Sequence, residues 1–161
     1  MLKIKFFIIQ HIFLLILSLV NTQNIEPIKI PIDSFKDSIE LNSDNSFNKY
    51  FLIEYKEEDL NNKNYLTIYT YNSIYDKNAF IYVSFTEQNP SPEKRDYVSQ
   101  ILEKNEIIIN VSKLKGKNKL YINLHSLKET KVDFGVYLSE NIELNSDNNT
   151  KKNLNYPMAI K

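Results

Sequence analysis

From Asn118 to Leu138 the chain alternates apolar and polar residues with a period of two. Leu120, Ile122 and Leu124 alternate with Tyr121, Asn123 and His125; after a short turn, Val132, Phe134, Val136 and Leu138 alternate with Asp133, Gly135 and Tyr137. Successive side chains of a strand point to opposite faces, so this pattern predicts two half-buried antiparallel strands joined as a hairpin. A lone hairpin is marginal in water, and the remaining strands must therefore supply a second layer.

The rest of the chain offers such strands. Tyr50 to Tyr55 places Phe51, Ile53 and Tyr55 on one face. Leu66 and Ile68 alternate with Tyr65, Thr67, Tyr69 and Tyr71, and Ala79, Ile81, Val83 and Phe85 share a side. Glu106 to Val111 presents Ile107, Ile109 and Val111 together. Ser38 to Leu41 reads as a short strand ending in the turn-rich Asn42-Ser43-Asp44-Asn45, and Asp96 to Leu102 as a helical turn or weak strand. Pro27 and Pro31 confine the segment Ile25 to Ile32 to a sheet edge or an extended lead-in. Pro90 and Pro92 make Thr86 to Arg95 an irregular loop. No apolar stripe of helical period is sustained anywhere, so the expected fold is all-β. About seven or eight strands separated by turn signals predict an antiparallel β-sandwich of jelly-roll or immunoglobulin-like kind.

The N-terminus supplies an address. Lys3 and Lys5 precede the apolar run Phe6 to Val20, and Val20-Asn21-Thr22-Gln23 follows, the layout of a signal-peptide helix with a processing site. An uncleaved signal anchor is the alternative, but the run is shorter than the roughly 18 apolar residues a spanning helix wants. The expected division is a signal peptide over 1–22, an extended lead-in over 23–37, a sandwich over 38–140 and a polar tail over 141–161. Of the 161 residues, 42% are hydrophobic, enough for a real core. Formal net charge is zero, and without Lys3 and Lys5 the balance is 18 bases against 20 acids. That balance argues against nucleic acid as a partner, and membrane contact is expected only through an uncleaved N-terminal anchor. Without cysteine there is neither a disulfide framework nor thiolate chemistry.

The segment from about Ser38 to Leu138 resembles the pre-peptidase C-terminal type of extracellular β-sandwich. The residues that carry the resemblance are the strand Tyr50–Tyr55, the pair Leu66–Thr70 and Phe80–Phe85, and the ending Lys119–Leu138. Gly116 with Leu120-Tyr121-Ile122-Asn123-Leu124, and Phe134-Gly135-Val136-Tyr137-Leu138, stand where that family has a glycine turn, a strand and an aromatic-leucine close. Tyr82-Val83-Ser84-Phe85 with Asn89-Pro90-Ser91-Pro92 is also similar to a segment in ectodomains of protist transmembrane proteins. The resemblance implies a non-catalytic module of a secreted or surface protein, and no catalytic residues carry over.

Ile39-Glu40-Leu41-Asn42-Ser43-Asp44-Asn45 recurs unchanged as Ile142 to Asn148. The second copy either opens a further, incomplete module or is a low-complexity echo in the tail.

Signs of chemistry are sparse. His125 is the one histidine beyond the leader; it faces outward, and a contact with Asp133 is possible if their strands adjoin. No nucleophile elbow or phosphate loop accompanies it, so no catalytic residue is expected. Glu57-Glu58-Asp59 and Ser43-Asp44 lack the spacing of a calcium loop, and neither metal nor cofactor is expected. Tyr69, Tyr71, Tyr82, Tyr121 and Tyr137 are all out of phase with the core and would form one tyrosine-rich face if their strands adjoin. Such a face suits a protein or carbohydrate ligand. Asn110-Val111-Ser112 and Asn148-Asn149-Thr150 are glycosylation sequons, and alternation turns Asn110 away from the core.

The expected product is a non-catalytic secreted or surface module with a structural or binding role. A truncated ectodomain of a larger transmembrane protein and a small secreted hydrolase are the alternatives. Sequencing the N-terminus of the chain produced in a eukaryotic secretory host should find a start near Gln23. An intact Met1 in the membrane fraction would make the leader an anchor.

Overall fold

Each strand carries one apolar face, and two stacked sheets bring those faces together. The computed structural model describes residues 25–71, 79–99 and 105–141. In chain order these hold β1 (Ile28–Ile30), β2 (Ser34–Leu41), β3 (Asn48–Glu54), β4 (Tyr65–Tyr71), β5 (Ala79–Ser84), β6 (Tyr97–Val98), β7 (Glu106–Asn110), β8 (Lys119–Ser126) and β9 (Thr130–Ser139). The first sheet has the order β1-β3-β8-β5-β6 and the second β2-β9-β4-β7. Neighbours are antiparallel except β1, which runs parallel to β3. The protein is thus an all-β sandwich.

The inward residues are those the alternation selects. Phe51 and Ile53 of β3 and Leu120, Ile122 and Leu124 of β8 meet Leu66 and Ile68 of β4 and Phe134 and Val136 of β9, all buried in one cluster. Phe51 and Phe134 stack with ring centroids 4.8 Å apart, joining the sheets directly. Tyr55 is buried beside them, and its hydroxyl donates to the Leu114 carbonyl at 3.2 Å.

The expected hairpin is not formed. β8 pairs with β3 and β5 in the first sheet, whereas β9 pairs with β2 and β4 in the second. Residues 127–129 therefore cross from one layer to the other. Alternation marks which face of a strand is buried but is silent on whether the next strand continues the sheet or turns over the core. The lead-in is also shorter than expected: β1 and the start of β2 already belong to the sheets, β1 as an edge strand. The segment opening at Asp96 contributes the two-residue strand β6.

Local polar contacts fix the ends of strands. Asp133 Oδ1 accepts from the Ser38 N–H at 2.9 Å, where β2 carries a register shift and Ser38 takes a φ of 51°. Asp33 Oδ1 accepts from the Leu138 N–H at 2.6 Å. In the heptad Ile39 to Asn45, Asn42 accepts from the Asp44 N–H while its own N–H donates to Asn45 Oδ1, closing a 3-10 turn directly after β2. The expected leader, the second copy of that heptad and residues 142–161 lie outside the described residues.

Burial pushes the Tyr55 hydroxyl up to about 12. Its folded value lies above the unfolded one, so its contribution is complete below about pH 10 and is lost as pH rises through the folded value. Denaturant unfolding at pH 8 to 12 should show stability falling above pH 10, with a shallower fall in Tyr55→Phe. At neutral pH the same variant should be roughly 1 kcal/mol less stable through the lost hydrogen bond.

Candidate ligand-binding face

The outward residues of the second sheet assemble an aromatic surface. Tyr65, Thr67, Tyr69 and Tyr71 leave β4 on that side, with Tyr137 from β9, Phe35 from β2 and Ile108 from β7. In register, Phe35, Gly135 and Tyr69 form one row across three strands, and Tyr137, Thr67 and Ile108 form the next. Phe35, Tyr71 and Ile108 are 39%, 58% and 37% exposed. Tyr69 and Tyr137 meet edge to face at 5.8 Å, a favoured aromatic geometry.

Gly135 makes this surface possible. A β-carbon built there would collide with the Tyr69 ring, which lies across the glycine. The hydroxyl end of the ring lies against the backbone of β9, a packing that also fills the glycine gap in the strand. No charge lies in the two central rows except Glu106 at the β7 edge, while the Lys131–Glu40 pair, 3.0 Å, and Asp133 stand toward one end.

Only part of the expected tyrosine face is here. Tyr69, Tyr71 and Tyr137 share it, but Tyr82 and Tyr121 belong to β5 and β8 and lie on the outer side of the first sheet. Period two separates inside from outside and cannot tell the two outsides of a sandwich apart. Tyr65 was detectable, since it shares the phase of Tyr69. Phe35 and Ile108 were not, because nothing in their own strands marks the row they join.

The outer side of the first sheet is occupied by the chain itself. Residues 86–96 fold across it: Asn123, 2% exposed, donates to the Pro90 carbonyl at 2.9 Å, and the Arg95 guanidinium lies 5.8 Å from the Tyr82 ring centroid. Asp96 Oδ2 fastens that loop by accepting from Ser84 Oγ and the Phe85 N–H. Tyr82 is 6% exposed, and burial raises its hydroxyl, partly offset by Arg95.

His125 does not meet Asp133. Its Nδ1 lies 3.1 Å from Asn48 Oδ1, and its ring sits beside Phe80 and Tyr82 on the first sheet; Asp133 is on the second. Burial lowers the His125 value, with the Phe47 carbonyl acting in opposition. The folded value therefore lies below the unfolded one, and the associated stability is lost as pH falls through it. Asn110 is exposed at the end of β7, and Asn148 lies outside the described residues. Among the described residues no three or more His, Cys, Asp or Glu side chains gather into a metal-holding cluster.

No protein-family model and no curated protein matches the chain. Among solved structures it is similar to PliG of Aeromonas hydrophila, a periplasmic lysozyme inhibitor of g-type lysozyme: 10% identity, 71% of this chain, 98% of that chain, TM-score 0.46.

Gly135→Val should force the Tyr69 ring off β9 and destabilise the fold by about 1–3 kcal/mol, the usual cost of overpacking. Denaturant melts and the Tyr69 ring resonances read the two effects separately. Unchanged ring resonances would mean that the ring does not rest on Gly135.

Proposed function

We propose that this chain is a non-catalytic secreted or cell-surface module that binds a short carbohydrate on the outer face of its second sheet. The observation that carries the proposal is the Tyr69 ring lying across Gly135, with Phe35, Tyr71 and Tyr137 around it. A cluster of aromatic side chains on an outer sheet face offers apolar ring surface on which a sugar ring can stack. Tyrosine hydroxyls supply hydrogen-bonding partners within the same rows.

Size favours a small ligand. Four strands about 4.8 Å apart, carrying the three outward rows from Tyr71 to Tyr137 about 7 Å apart, give a face of roughly 400 Å². A standard protein interface wants about 800 Å² from each partner. The non-catalytic half of the proposal is supported by His125 and Asp133 standing on different sheets. Membership of the pre-peptidase C-terminal type belongs to the proposal too, as does its alternative placement as an ectodomain piece of a larger surface protein.

Titration of the isotopically labelled protein with chito-, manno- and gluco-oligosaccharides should shift the Tyr69, Tyr71 and Tyr137 resonances. Tyr69→Ala should weaken that binding roughly five- to tenfold, the value of about 1 kcal/mol of aromatic contact. If no sugar moves these resonances while a protein ligand does, the face is a protein-binding surface and the carbohydrate assignment fails.

A further inference from the structure

The β7 edge poses a problem that the sequon at its end can solve. β7 closes the second sheet with β4 as its one neighbour among the described residues. Its sequence, Glu106-Ile107-Ile108-Ile109-Asn110, has three consecutive isoleucines and neither proline nor lysine. Ile107 and Ile109 are buried, but Ile108 is 37% exposed. A β-branched, exposed edge with neither proline nor lysine on it is a template for adding another chain's strand.

Asn110 is exposed and ends the strand, and its Oδ1 accepts from the Ser112 N–H at 2.9 Å. That turn uses the oxygen and leaves the amide nitrogen outside it. The register places Tyr65 of β4 directly opposite Asn110, on the same outward face. Residues so paired have their β-carbons about 4.5–5.5 Å apart, within reach of a tyrosine ring for a sugar attached at Asn110.

We propose that Asn110 is an N-glycosylation site whose first sugar packs on Tyr65 and whose bulk closes the β7 edge to strand addition. The donor class is a lipid-pyrophosphate-linked oligosaccharide. The amide nitrogen forms a bond to the anomeric carbon, the bond from that carbon to the pyrophosphate oxygen breaks, the lipid pyrophosphate leaves with the electron pair, and the amide loses one proton. The inference rests on the secretory half of the proposed function for delivery to the donor, and not on ligand binding at Tyr69.

Ser112→Ala is the informative variant: it removes the sequon hydroxyl while keeping the N–H that caps Asn110. The full chain is expressed behind an added cleavable secretory leader, so that delivery does not depend on its own N-terminus, in an Asn148→Gln background. Peptide mass mapping should find glycan at Asn110, absent from Ser112→Ala. Nuclear Overhauser contacts should join the first sugar to the Tyr65 ring, and light scattering should find Ser112→Ala self-associating at no more than a tenth of the concentration the glycosylated chain needs. An unmodified Asn110 in the secreted, folded chain overturns the site. A modified Asn110 with no sugar contact at Tyr65, or with equal self-association in Ser112→Ala, overturns the shielding. The chain with its own leader alone tests secretion separately.

Discussion

The stack of Phe51 on Phe134 is the contact through which the two halves of this protein hold each other. One ring comes from the middle of the first sheet and the other from the middle of the second, and the buried aliphatic residues of β3, β8, β4 and β9 surround them. A sheet with only one apolar face has no stable existence alone, so each layer is a condition for the other. Everything outward depends on it. The aromatic rows of the second sheet follow the register of β2, β9, β4 and β7, the sheet whose inner face this core covers.

Much of that core was legible as phase. Phe51, Ile53 and Tyr55, then Leu66 and Ile68, then Leu120, Ile122 and Leu124, and Val132, Phe134, Val136 and Leu138 were all assignable to an inner face, and all are buried. The partition between layers was not legible. β8 and β9, separated by only three residues, look like a hairpin because their periods match; they match equally well as two sides of one core. Choosing between the two needs to know which neighbours each strand has, and those contacts are long-range in sequence.

The same missing information divided the tyrosines. Tyr69 and Tyr137 meet because β4 pairs with β9, and Tyr82 is drawn away because β5 pairs with β8. Gly135, one of only two glycines in the chain, was visible but carried no meaning until Tyr69 was found lying across it. Tyr82 packs under the loop 86–96, whereas Tyr71 on the second sheet is 58% exposed.

The parallel strand β1 has a mechanical consequence. It meets β3 over only three residue pairs at the sheet's edge, and the next firm anchor along the chain is Asp33, whose carboxylate holds the Leu138 N–H. Tension entering from the N-terminal side would peel β1 away first and then be arrested at Asp33, leaving the antiparallel layers loaded but whole. Three parallel residue pairs and the Lys29–Glu54 ion pair thus hold β1 more loosely than the antiparallel strands hold one another.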